Sequence, residues 1–213
     1  MRRTDTRVDS SSLSAFSRLF MLIAAIAFSM AAFSTSIHSS TTFATRSVMI
    51  DLTQPDEYQH WRATNDNVMG GISQGQFSFD GKSSRFWGEL SLANNGGFSA
   101  VSRPIDALPA EINRVVLQVM GDGCTYQLRF ATWLDGYRIN YKHDFAIHKG
   151  EQQTIELTLS DFQAVFRGRL LSGAPTLRAK DIKQVGLLIA DKQAGPFTLA
   201  VFDLQFLTSN NVE

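Results

Sequence analysis

Cysteine is almost missing from this chain: Cys124 stands alone among 213 residues. A lone thiol cannot close an internal disulfide. With no His, Asn or Asp signature around it, it reads as a small core hydrophobe rather than a nucleophile. Net charge is missing as well. Lys+Arg and Asp+Glu are both 20, so no overall field recruits nucleic acid. Helical periodicity is weak throughout, and only residues 108–113 and 160–166 read as single helical turns. There is no internal repeat and no second domain. His60, His143 and His148 have no Cys or carboxylate at a ligand spacing, so no metal and no cofactor is implied.

The first 47 residues lack Lys and Glu altogether and are rich in Ser, Thr and Ala. Arg2, Arg3, Arg7 and Arg18 precede an apolar run, residues 19–33, which ends in Ser34-Thr35-Ser36. Basic, apolar, then small and polar is the order of a secretory signal. Residues 1–47 are therefore expected to be a signal peptide or membrane anchor with a linker, a hydrophobic leader helix ahead of the fold. The protein is then exported (periplasmic or secreted) or anchored, with membrane association through residues 19–33. A mitochondrial presequence is the alternative: Arg and Ser fit it, while Asp5 and Asp9 do not.

What the rest of the chain does have is period-two alternation. Phe86, Gly88, Leu90 and Leu92 alternate with Arg85, Trp87, Glu89 and Ser91. Asp80-Gly81 and Asp135-Gly136 carry the chemistry of tight hairpin turns. The clearest hairpin runs through residues 126–133, Asp135-Gly136 and residues 137–145. Further strands are expected at 114–120, 154–159, 184–190 and 197–207. Residues 48–208 thus read as an all-β antiparallel β-sandwich of jelly-roll type, with 209–213 as a C-terminal tail.

The connections are the richest part. Asn65-Asp66-Asn67-Val68-Met69-Gly70-Gly71, Asn94-Asn95-Gly96-Gly97-Phe98 and Gly121-Asp122-Gly123 join short polar side chains to glycine, which is the composition of shaped turns. Such loops build binding surfaces more often than catalytic ones. Gly71-Ile72-Ser73-Gln74-Gly75 matches the Gly-x-Ser-x-Gly elbow, but no apolar strand precedes it and no helix follows it. Paired carboxylates for glycoside hydrolysis have candidates but no arrangement. Trp133, Tyr137, Tyr141 and Arg129 would form a sugar- or peptide-stacking face if they lay on a concave sheet, though burial is the default for such aromatics. Arg167-Gly168-Arg169 offers two forked donors for a partner's carboxylate. Asp191-Lys192-Gln193 forms a polar turn longer than a minimal hairpin needs.

Taken in order, Trp61 with residues 65–73, Phe86-Trp87-Gly88, Asn95-Gly96-Gly97-Phe98, Gly121-Asp122-Gly123 with Tyr126, Phe162 with Arg167-Gly168-Arg169, and residues 186–197 resemble the complex I intermediate-associated protein 30 family. The resemblance covers most of the chain from Trp61 to about Phe206. It implies a galactose-binding-domain-like jelly roll and a role of the assembly-factor kind, as for relatives that hold intermediates of NADH:ubiquinone oxidoreductase. The leading expectation is a non-catalytic module that binds a protein partner, such as an intermediate of a respiratory or membrane complex. Its contact residues would come from Asp66, Asn67, Met69, Gly70, Gly71, Asn95, Gly96, Phe98, Asp122, Arg129, Trp133, Arg167, Arg169, Asp191 and Lys192. The alternative is a carbohydrate-binding module of an exported protein, with a glycan as ligand. Hydrolysis through Ser73 or paired carboxylates comes last.

Overall fold

Alternation of inward and outward side chains, not helical spacing, sets the architecture of residues 47–208, which are those the computed structural model describes. In chain order the strands are β1 (Ser47–Asp51), β2 (Arg62–Asn65), β3 (Gln74–Phe79), β4 (Ser84–Leu90), β5 (Ser99–Pro104), β6 (Arg114–Gly121) and β7 (Thr125–Leu134). There follow β8 (Tyr137–Ala146), β9 (Gln152–Thr158), β10 (Gln163–Phe166), β11 (Arg169–Leu170), β12 (Ile182–Ile189) and β13 (Gly195–Leu207). The first sheet has the order β3-β4-β13-β6-β9, with β1 also paired to β13. β13 pairs β4 through residues 195–201 and β1 through residues 203–207, so those two strands share one of its edges while β6 takes the other. The second sheet has the order β11-β10-β8-β7-β12-β5-β2. Every strand pair is antiparallel. The fold is an all-β jelly-roll sandwich.

The core lies between the sheets. On β7, Tyr126, Leu128 and Phe130 point inward and are buried, whereas Gln127 and Arg129 point outward. Leu187 joins them from neighbouring β12, and Phe86, Leu117, Leu199 and Phe206 meet them from the facing sheet. Phe86 packs edge-on against Phe197 with centroids 4.9 Å apart, the arrangement favoured by the ring quadrupole. The Asp135-Gly136 hairpin forms as expected, with φ of 51° and 82°, the left-handed pair whose twist suits the flanking strands.

Two local expectations change. Residues 160–166 are not one helical turn: a short 3₁₀ turn covers Leu159–Asp161 and then β10 adds to the edge of β8, Ala164 opposite Tyr141. Residues 108–113 form an open turn in which Ile112 N–H donates to the Pro109 carbonyl, and Leu108 and Ile112 plug the end of the core. The leader expected over residues 1–47 lies outside the described residues except for Ser47, and so does the tail at 209–213. Among the described residues no helix is long and apolar enough to cross a membrane.

Antiparallel pairing decides where the connections gather. Residues 66–73, 91–98, 122–124, 147–151 and 190–194 all link the two sheets at one end, the loop rim. The β7–β8 and β10–β11 turns sit at the opposite end.

Candidate functional site

The rim is built around one carboxylate. Asp66 opens a 3₁₀ turn, Asp66–Met69, and is 1% exposed. Its Oδ1 accepts the Ser73 N–H at 2.9 Å, and its Oδ2 accepts the Ser73 hydroxyl at 2.6 Å and the Gly97 and Phe98 N–H groups at 2.6 and 3.3 Å. Burial alone would raise its pKa, but the bonds from Ser73, Gly97 and Phe98 outweigh that and hold it below the usual carboxylate value. Asn65 works beside it: its Oδ1 accepts from Gly75 N–H and the Ser99 hydroxyl, and its Nδ2 donates to the Gly75 carbonyl. Two loops more than thirty residues apart in sequence are thereby tied into one unit.

The glycines fit this closure. Gly70 has φ of 93°, in the left-handed region, and ends the turn. Gly71 is needed for another reason: a Cβ there would stand 2.3 Å from the Asp66 carboxylate carbon. A Cβ on Gly96 would come 2.5 Å from Asp66 Oδ2. Glycine on both sides lets backbone close directly on the carboxylate.

A second clasp binds the β6–β7 turn to β13. Asp122 Oδ2 accepts the Thr198 N–H at 2.6 Å and the Tyr126 hydroxyl at 2.9 Å, and Oδ1 accepts the Cys124 N–H at 3.0 Å. Burial, with Asp122 and Asp191 adding to it, pushes the Cys124 thiol up to about 12.

Asp66, Asn65 and Asp122 thus spend their side chains on the frame, and the residues left facing solvent include four large apolar ones. Val68 is 69% exposed, Met69 74%, Ile72 58% and Leu92 45%. Asp66 and Gly71 are buried, so they present no contact surface; they hold one up. Asn67, Met69, Gly70 and Asn95 are exposed on the rim, Gly96, Phe98, Asp122 and Asp191 are half-buried there, and Lys192 is exposed. Sequence reasoning passed over Val68, Ile72 and Leu92, although apolar residues inside a glycine-rich turn were the available signal. Ser73 is buried, donates to Asp66 and accepts from Ser91 N–H at 2.9 Å, so its hydroxyl serves the loop frame.

The remaining expected residues lie elsewhere. Trp133, Arg167 and Arg169 are at the opposite end from the rim, and Arg129 lies mid-strand on the outer face of the second sheet. Arg138 covers Trp133 at 5.4 Å, and Arg167 lies over Phe166 at 5.4 Å. Tyr141 follows the default of burial rather than the stacking-face alternative, because it stands opposite inward-facing Phe130; its hydroxyl donates to the Pro175 carbonyl at 2.8 Å. Among the described residues no group of three or more His, Cys, Asp or Glu could hold a metal ion.

The class this architecture defines is the small jelly-roll sandwich, and solved structures share that fold. The family 11 carbohydrate-binding module of a Clostridium thermocellum cellulosomal cellulase superposes with a TM-score of 0.61 at 12% identity, over 80% of this chain and 99% of that one. A family 30 module from the same organism gives 0.52 at 11% identity, over 78% and 99%. At these identities the likeness is one of fold. In sequence, residues 50–201 match the family described as complex I intermediate-associated protein 30, and the chain belongs to that family. An uncharacterized protein of Schizosaccharomyces pombe is 26% identical over 182 residues, covering 74% of this chain and 83% of that protein.

Proposed function

We propose that this protein is a non-catalytic docking module whose loop rim grips a protein partner, in keeping with its family's association with intermediates of respiratory complex I. One observation carries the reading: Val68, Met69, Ile72 and Leu92 stand exposed on loops that a buried carboxylate holds rigid. Apolar side chains presented on a fixed frame lose little freedom when they are covered, which is what a binding hot spot requires. Met is enriched at such surfaces. The family description also favours the mitochondrial alternative for location over export.

The glycan alternative has the fold as support, while Tyr141 is buried and Arg138 lies over one side of the Trp133 ring. Against the Ser73 form of the hydrolase alternative, the Ser73 hydroxyl is engaged in the loop frame.

Capture from detergent-solubilised membranes tests the proposal. The wild type is expected to bring down subunits of NADH:ubiquinone oxidoreductase. Met69→Asp with Ile72→Asp is expected to lose them while keeping the wild-type melting temperature, both side chains being exposed. The same subunits captured by both proteins, or by neither, would overturn the rim as the contact surface.

A further inference from the structure

Away from the rim, the outer face of the second sheet carries a cavity of about 200 Å³ lined by Arg129, Arg138, Asn140, Gln184 and a patch of small residues, Ala100, Ala131 and Gly186. Strand register brings these together: Gly186 stands opposite Arg129, and Ala131 stands between Gln184 on one side and Asn140 on the other. The small residues leave the depression, and two guanidinium groups line it.

Its electrostatics are unbalanced. Among the described residues neither Arg129 nor Arg138 makes an ion pair. The carboxylate that acts on Arg129, Asp144, is already bonded to Lys142 Nζ at 2.8 Å. Arg129 spends one N–H on the Gln127 amide oxygen at 2.9 Å, and Arg138 spends one on Asn140 at 3.1 Å, which leaves the other fork donors open. Burial, and then the neighbouring Arg138, hold the Arg129 guanidinium below its ordinary pKa, the signature of a cation short of a counter-charge. Gln184 Oε1 is buried and has no hydrogen-bond partner. The chain as a whole has no net charge, so this excess is local.

We propose that this depression is a docking groove for an extended acidic segment of a protein partner, with Arg129 and Arg138 taking a carboxylate and Gln184 accepting a backbone N–H. Three observations choose that occupant. The cavity of about 200 Å³ lies below the roughly 300–1,000 Å³ that encloses a small-molecule ligand, but it admits one acidic side chain. Arg138 lies over the Trp133 ring beside the groove, so a neutral sugar stacking on that side would have to displace a guanidinium. Paired guanidinium forks match a carboxylate geometrically, and strand alternation puts Arg129 and Arg138 on the same outer face. The groove rests on the reading of the chain as a protein-binding module and adds to it a surface separate from the rim.

The test uses the purified protein and a fluorescent oligo-glutamate peptide ending in an aromatic residue, followed by anisotropy as salt is varied. Saturable binding that weakens with salt is expected. Arg129→Gln and Arg138→Gln should each weaken it about tenfold or more, as loss of a charge-assisted fork implies. Arg129→Lys should fall between them and the wild type, because it keeps the charge and loses the fork. Both Gln variants should melt at or above the wild-type temperature, which separates lost binding from lost folding. Arg167→Gln and the rim variant Met69→Asp should bind the peptide normally, so a failed groove leaves the rim reading standing. No saturation at millimolar peptide, equal affinity in the Arg129 and Arg138 variants, or preference for polygalacturonate or anionic vesicles over the peptide would overturn the proposal.

Discussion

Asp66 converts a composition signal into a physical one. Asparagine, aspartate and glycine at residues 65–71 are what any elaborate turn contains, yet here they divide the work. Asn65 ties β2 to β3 and β5, Asp66 receives four donors, and two glycines clear its flanks. Gly70 and Gly71 should therefore fail differently when replaced. Gly70→Ala meets open space but keeps a left-handed φ, which costs about 1–2 kcal/mol. Gly71→Ala drives a methyl into the Asp66 carboxylate and should cost about 1–3 kcal/mol. A double-mutant cycle in urea distinguishes the two. Gly71→Ala combined with Asp66→Ala should cost clearly less than the sum of the singles, whereas Gly70→Ala combined with Asp66→Ala should come close to additive. Additivity for Gly71 would contradict the steric account. At this scale the sequence announced that the bends were unusual. It did not announce that Asp66 is buried, because its partner Gly97 lies thirty-one residues on and only the folded chain brings them together.

Among the elements, strands with a regular buried face were legible, the edge strand β9 (expected at 154–159) included, and short strands exposed over most of their length were not. β6, β7, β8, β12 and β13 match their expected spans within about two residues, since a one-residue slip would turn every inward side chain to solvent. β2, β10 and β11 carry several exposed residues and lack that signature. Their positions are set by the neighbouring strand that needs a partner, which linear periodicity does not record. The clasp between the β6–β7 turn and β13 makes a separate prediction. With the Cys124 thiol pushed up to about 12, only about one thiol in ten thousand is ionised at pH 8, and the thiolate is the reactive form. Cys124 should resist iodoacetamide at pH 8 in the folded protein and react at the rate of an ordinary thiol in urea. Asp122→Ala, which releases the Thr198 and Tyr126 bonds and removes one carboxylate beside the sulfur, should speed labelling of the folded state. Rapid labelling of the folded wild type would contradict the shielding.

For the molecule as a whole, one of the two proposed interaction surfaces rests on an acid-sensitive frame. Asp51, Asp66 and Asp80 all have lowered pKa values. For Asp51 the cause is hydrogen bonding from Thr53 and Gln54; for Asp66 and Asp80, burial opposes the shift and hydrogen bonds overcome it. A carboxylate whose folded pKa lies below its unfolded value of about 3.9 binds its proton more readily in the unfolded chain. Its stabilising contribution is complete above that unfolded value and disappears as pH falls through the folded one. Urea unfolding should therefore give nearly constant stability from neutral pH down to about 5 and a decline below about 4. Asp51 and Asp80 sit at the surface, where water screens them, so the buried Asp66 should dominate the decline. Asp66→Asn tests this directly. At pH 7 it should cost about 1.5–3 kcal/mol, since an amide cannot accept from all of the Ser73, Gly97 and Phe98 donors as a carboxylate does. As the wild-type carboxylate takes up its proton, the two proteins should converge. The exposed Val68, Met69 and Ile72 depend on this frame for their fixed geometry, so partner capture by the rim should fail in Asp66→Asn at neutral pH while peptide binding at the Arg129 groove persists. If the stability gap between wild type and Asp66→Asn stays the same from pH 7 to pH 3, the buried carboxylate is not what holds the rim together.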